Sequence, residues 1–137
     1  MRLQGREVSA VALLLTVGAV TALAAERPAR TTRDRLYTVE QAERGKQVYT
    51  RACAQCHALG FYQDDIMKPW EGGALSDLYD AISTRMPPGN PGSLKRREYL
   101  DVLAYILSLN RMPAGGQELP SRAADLKTIR IKWRTKS

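Results

Sequence analysis

Three stretches of the chain carry apolar residues at helical spacing, and the polar or proline- and glycine-rich segments between them mark the breaks. The first begins at Thr38, which with Gln41 three residues on has the form of a capping box, and Glu40 and Glu43 suit the positive end of a helix. Ala42, Gly45, Val48 and Tyr49 share its inner face, while Glu40, Arg44, Lys46 and Arg51 can face water. A glycine inside a helix costs about 1 kcal/mol relative to alanine, so Gly45 is expected to mark a close approach by another element. The second stretch, 75–84, puts Leu75, Leu78, Tyr79 and Ile82 on one face. The third and strongest, 93–110, has a broad stripe that includes Leu100, Leu103, Ile106 and Leu107, stopped by Asn110 and Pro113. Its first turn carries Lys95, Arg96 and Arg97, where acidic residues are normally favoured. Towards the C-terminus the period changes to two: Ile129, Ile131 and Trp133 alternate with Arg130, Lys132 and Arg134. That alternation predicts an extended segment with one apolar edge, lying on the chain's own helices or on a partner.

The N-terminus has a different pattern. Arg2 and Arg6 precede an apolar run from 8 to 24 that closes on Ala22-Leu23-Ala24, the form of a secretory signal with a small-residue cleavage site. Seventeen residues are at the short limit of a membrane span, so an uncleaved anchor is the alternative. The expected organisation is a signal peptide at 1–24, an exposed basic arm at 25–36, one small all-α domain at 37–112 and an extended basic tail at 113–137. The whole chain carries 21 Lys+Arg against 14 Asp+Glu. Residues 37–112, however, hold nine of each sign, and the excess divides into +1 on residues 1–24, +2 on the arm and +4 on the tail. A neutral domain between basic ends argues against nucleic-acid binding and leaves the ends as candidates for electrostatic docking.

The chemistry-bearing residues are concentrated. Cys53 and Cys56 are the only cysteines and His57 is the only histidine. Cys-x-x-Cys-His is the attachment sequence of a c-type haem: the thiols can add to two vinyl groups of one porphyrin, and the adjacent histidine is placed to ligate iron. A thioredoxin-like pair needs a βαβ setting that the flanking sequence lacks. A structural zinc site needs four ligands, and only three such residues exist. A disulfide across two residues closes a small, strained loop and leaves His57 unexplained.

For the other axial position Met86 is the preferred ligand, ahead of Met67 and Met112. Three prolines and two glycines follow Met86 within seven residues, a loop whose restricted shape lowers the entropy lost on ligation. His/Met ligation also raises the reduction potential. Trp70, after Pro69 and before Gly72-Gly73, can pack beside a porphyrin and donate its indole N–H to a propionate.

The run 41–49 (Gln-Ala-Glu-Arg-Gly-Lys-Gln-Val-Tyr) followed by Cys53-Ala54-Gln55-Cys56-His57 resembles the first helix and haem motif of class I c-type cytochromes. That resemblance implies one covalently bound haem c, and N- and C-terminal helices crossing where Gly45 meets an aromatic residue. Tyr105 is the candidate for that residue and Tyr99 the alternative. It also implies that a proline carbonyl accepts from the ligating histidine; Pro69 is the candidate, although the usual surrounding Gly-Pro-x-Leu pattern is absent. The stretch from Met86-Pro87 through 98–107 to Glu118-Leu119-Pro120 resembles the small monohaem proteins associated with periplasmic quinoprotein or molybdenum dehydrogenases. Members usually carry acidic residues where this chain has Lys95-Arg96-Arg97, a departure that suggests a partner-specific basic patch. The implied function is electron transfer rather than catalysis, in the periplasm. The implied partners are a dehydrogenase as donor and a downstream cytochrome or terminal oxidase as acceptor, with membrane contact only if the signal stays uncleaved. The alternatives are a dedicated haem subunit of a dehydrogenase complex, or a ligand sensor or peroxidase with a labile methionine.

Overall fold

The structure, a computed structural model, describes residues 30–132. The expected signal sequence, the beginning of the arm and the tail from Trp133 onward lie outside the described residues. Four helices follow in order: α1 (Val39–Ala52), α2 (Leu75–Arg85), α3 (Arg96–Leu109) and α4 (Ala123–Lys127), with 3-10 turns at Asp64–Ile66 and Lys68–Trp70. Among the described residues there are isolated β-bridges but no strand, and no helix is long and apolar enough to cross a membrane. The fold is all-α.

The pairing of α1 with α3 is the most extensive and organises the rest. It depends on Gly45. A Cβ at that position would lie 1.8 Å from the Asp101 carbonyl oxygen and 3.0 Å from the Tyr105 Cβ, so the α3 backbone fills the space a side chain would need. The aromatic partner at the crossing is Tyr105. On the same faces Arg44 grips the buried Asp101 carboxylate with two hydrogen bonds, Nε to Oδ2 at 3.1 Å and Nη2 to Oδ1 at 3.0 Å, and also reaches Glu118 at 2.6 Å. The hydrogen bond to Asp101 is the main reason the Arg44 pKa lies above its ordinary value.

Helix α1 starts as its sequence predicts, with the Thr38 hydroxyl accepting from the Gln41 N–H at 3.1 Å. The reciprocal half of the capping box does not form. The Gln41 side-chain oxygen accepts instead from the Leu119 N–H at 2.8 Å and so fastens the tail to α1. Helix α3 begins three residues later than its apolar pattern suggests, because residues 93–95 continue the preceding loop. Its basic first turn is offset locally. Glu98 accepts from the Lys95 N–H at 2.8 Å and pairs with Arg51, Arg97 approaches Glu118 at 3.7 Å, and the Arg96 guanidinium lies 5.2 Å from the Tyr79 ring centroid. Arg96 also donates to the Ser121 carbonyl at 2.5 Å. Lys95, Arg96 and Arg97 all remain exposed despite these contacts, so the basic patch stays on the surface.

Both ends of the domain depart from expectation. The arm is not exposed up to residue 36, because Thr32 and Leu36 are buried. The tail is not simply extended: it contains α4 and then returns along the domain. Leu75 N–H donates to the Ile129 carbonyl, Ile131 N–H to the Gly73 carbonyl and Gly72 N–H to the Ile131 carbonyl, each at 2.9 Å. Thr32 N–H donates to the Arg130 carbonyl at 2.9 Å, and Lys132 N–H to the Thr32 hydroxyl at 2.9 Å. The physical reason is reciprocal cover: Ile129 and Ile131, both wholly buried, need an apolar surface, and the arm and the start of α2 supply it while completing the ribbon's hydrogen bonds. The period-two pattern therefore folds onto the chain itself up to residue 132. The cations Arg30, Arg33, Arg35, Lys127, Arg130 and Lys132 stay exposed, and because Arg130 N–H donates to the Arg30 carbonyl at 2.8 Å, the described parts of the two basic ends share one edge.

Candidate haem site

The last turn of α1 leads directly into the cysteine motif. Cys53 N–H and Ala54 N–H both donate to the Tyr49 carbonyl, at 2.8 and 3.0 Å; Cys56 N–H and His57 N–H both donate to the Cys53 carbonyl, at 3.1 and 2.9 Å. These bonds wind the five residues into a compact turn and bring both thiols and the imidazole to one end of the helix. Both thiols are free, Cys53 half-buried and Cys56 exposed. Burial raises the Cys53 thiol pKa above its ordinary value, with Arg51 acting in the opposite sense.

This turn opens on a narrow apolar cleft whose walls include Cys53, His57, Tyr62, Ile82, Met86 and Tyr99. A second, adjoining cavity of about 230 Å³ shares Cys53, His57, Met86 and Pro87 and adds Cys56 and Gly89. Met86 lines both, whereas Met67 and Met112 are packed in the core and line neither. Three of the four residues expected at the iron or its covalent links thus meet at the first cavity, and the fourth, Cys56, lies at the second. Trp70 and Pro69 line neither cavity. Trp70 is half-buried against the edge of the core, and Pro69 is exposed in the second 3-10 turn.

The donor set fits haem c: two free thiols one turn apart, an imidazole beside them, and a thioether on the wall of the same apolar cavity. It does not fit a zinc site, since no group of three His, Cys, Asp or Glu suited to a metal ion occurs among the described residues.

The residues that hold these donors were not apparent from the apolar pattern. Beyond His57, the loop 58–63 is tied to the helices by Tyr49 Oη donating to the Ala58 carbonyl at 3.0 Å, Tyr105 Oη to the Leu59 carbonyl at 3.1 Å and Asn110 Nδ2 to the Tyr62 carbonyl at 2.7 Å. Gln63 Nε2 in turn donates to the Leu109 carbonyl at 2.8 Å. The Phe61 ring lies 4.4 Å from the His57 ring, centroid to centroid. Burial raises the pKa of Tyr49, Tyr62 and Tyr105, so these phenols stay protonated, and for Tyr49 and Tyr105 that keeps them available as donors. On the other wall Met86 follows the end of α2, its N–H on the Ile82 carbonyl at 3.2 Å. Tyr99 Oη donates to the Met86 carbonyl at 2.7 Å. Tyr99 therefore serves the Met86 loop rather than the Gly45 crossing. One sequence signal does point to these roles: a buried stripe that uses tyrosine where phenylalanine would pack as well must find a partner for each hydroxyl.

The family model described as cytochrome c oxidase, cbb3-type, subunit III matches residues 40–106. The match runs from the first turn of α1 to near the end of α3 and includes Gly45, Cys53, Cys56, His57, Met86 and Tyr99. No curated protein and no solved structure matches the chain significantly. The helix crossing at Gly45, the cysteine–histidine turn on the end of α1 and the matched stretch agree, and through residues 40–106 this chain belongs to the class I c-type cytochromes.

Proposed function

We propose that this protein is a monohaem electron carrier of the periplasm, accepting single electrons from a periplasmic dehydrogenase and passing them to a downstream cytochrome or terminal oxidase. The observation that carries the reading is the presence of Met86 and His57 on the walls of one apolar cavity beside the attachment cysteine Cys53. Haem c, when bound, supplies reversible one-electron exchange between Fe(II) and Fe(III). Cys53 and Cys56 would hold it covalently, and His57 and Met86 would take both axial positions. With both positions filled from the chain, no site is left for a substrate, which suits outer-sphere transfer rather than catalysis. Trp70 is the candidate propionate donor. Export rests on the signal-like sequence at 1–24 and agrees with attachment chemistry performed outside the cytoplasm.

The test is a haemochrome spectrum for one haem per chain, followed by carbon monoxide titration of the reduced protein at neutral pH. Absence of binding supports the carrier. Tight binding overturns it in favour of a sensor or peroxidase with a labile Met86.

A second reading, a dedicated haem subunit of a dehydrogenase complex, is favoured by the shared basic edge. That edge is built on the ribbon that meets α2 at Leu75, whereas Met86 caps the other end of the helix; eleven residues separate these ends by about 16 Å. A partner held on the basic edge leaves the cavity open for electron exchange. Copurification with a larger enzyme at low salt, lost at high salt, supports the subunit; elution as a lone small protein at low salt supports the diffusing carrier.

A further inference from the structure

The two sides of the cavity are held unequally. On the histidine side, hydroxyls or amides from Tyr49, Tyr105 and Asn110 bond to the backbone of 58–62, and Gln63 bonds back to α3. On the methionine side, residues 86–94 make two turn bonds of their own, Asn90 N–H to the Pro87 carbonyl at 2.9 Å and Ser93 N–H to the Asn90 carbonyl at 3.3 Å. Residues 88–93 are exposed. Apart from the Glu98 carboxylate that accepts from the Lys95 N–H where α3 begins, one side-chain hydrogen bond among the described residues ties this loop to a helix, and it comes from Tyr99.

Tyr99 is well suited to the task. It is 4 % exposed, and it stands on α3, which the Gly45 crossing fixes against α1. Its ring meets the edge of Tyr79 at 6.5 Å, and Tyr79 is in turn covered by Arg96. Its acceptor is the carbonyl of the ligand residue itself, so the bond fixes the peptide from which the Met86 side chain projects. Prolines at 87, 88 and 91 restrict the loop's shape but do not anchor it to the domain.

We propose that Tyr99 is the positioning residue of the distal ligand: its hydroxyl latches the Met86 carbonyl, and without that latch the thioether becomes exchangeable. This inference rests on the reading of Met86 as an axial ligand. Iron–thioether bonds are weak, so the free energy of closing the loop bears directly on ligand retention. Loss of one net hydrogen bond corresponds to roughly a fivefold rise in the population of the open loop.

The experiment compares the haem-loaded wild type, Y99F and Y37F. Y37F is the control, because it removes a buried hydroxyl bond of the same length, Tyr37 Oη to the Met112 carbonyl at 2.7 Å, from a residue that lines neither cavity. The readouts are the thioether-to-ferric-iron charge-transfer band and the affinity for carbon monoxide (reduced) and imidazole (oxidised). The expected result is a roughly fivefold gain in external-ligand affinity and a weaker band in Y99F, with Y37F like the wild type. Y99F with wild-type affinity overturns the latch and leaves the carrier reading standing. Equal gains in Y99F and Y37F show general loosening and overturn it as well. A wild type that lacks the band and binds carbon monoxide tightly overturns the Met86 reading itself. Should Y99F fail to accumulate, a fluorinated tyrosine at 99, a stronger donor, is expected to lower external-ligand affinity; unchanged or higher affinity overturns the latch.

Discussion

Replacing Gly45 with alanine sets two effects of known size against each other. Alanine in a helix interior is favoured over glycine by about 1 kcal/mol, so propensity alone predicts a more stable protein. The crossing predicts the reverse. The new Cβ would sit 1.8 Å from the Asp101 carbonyl oxygen and 2.4 Å from its carbon, both backbone atoms that cannot swing aside. Bringing the first distance to 3.0 Å requires α3 to retreat by at least 1.2 Å, which also strains the paired bonds between Arg44 and the Asp101 carboxylate. Overpacking of this kind costs about 1–3 kcal/mol, and a backbone clash belongs at the upper end, so the net loss is about 2 kcal/mol. In a domain of this size that lowers Tm by roughly 10 °C. The assay is thermal unfolding of the haem-loaded protein by circular dichroism, with G116A as the comparison, since a Cβ at Gly116 meets nothing within 4 Å. A G45A protein that melts at or above the wild-type temperature refutes the close crossing.

Three further outcomes are expected. D101N weakens the charge-assisted pair with Arg44, whose side chain is 35 % exposed, and lowers stability by about 1–2 kcal/mol in urea unfolding, whereas E118Q at the exposed end of the same network costs less than about 1 kcal/mol. The Glu98 carboxyl is held below its ordinary pKa, first by the Lys95 backbone N–H and then by Arg51. Its contribution is complete above the unfolded value near 4.5 and is lost as pH falls through the lower folded value, so E98Q flattens the acid limb of the stability profile below about pH 4.5. I131A removes a wholly buried side chain and costs about 3 kcal/mol, measured by urea midpoint, against little change for V39A at a position 58 % exposed.

What the sequence made legible follows from whether the determinant is local. The helix pattern located α1, α2 and α3 because each buries a face with its own periodicity, and Gly45 signalled a close approach because its cost within the helix needed an explanation. Cys53, Cys56 and His57 declare their chemistry by spacing alone. The 3-10 turns and α4 are too short for a period to register. The partners of Gln41, Tyr99 and Glu118 depend on how segments 78, 13 and 74 residues away are brought back, which spacing cannot report. The arm was misread for the same reason: residues 30–36 look solvated in isolation, and their burial is conferred by a ribbon a hundred residues later in the chain.

That ribbon divides α2 into two regions with separate duties. At the start of the helix, Leu75 donates its N–H to the tail and packs with Leu126, Ile129 and Ile131, all wholly buried, so this end belongs to a sealed core. At the other end Ile82 and Met86 face the cavity, and the chain leaves the helix into a loop latched by one phenol. The matched stretch 40–106 stops before the tail, so the seal lies outside the region that the family model covers. The two ends should therefore respond independently: I131A lowers the unfolding midpoint and leaves external-ligand affinity unchanged, whereas Y99F shifts ligand affinity more than stability. Coupling between them, measured as non-additivity in the double variant, would show that the helix transmits strain from tail to cavity and that the division is wrong.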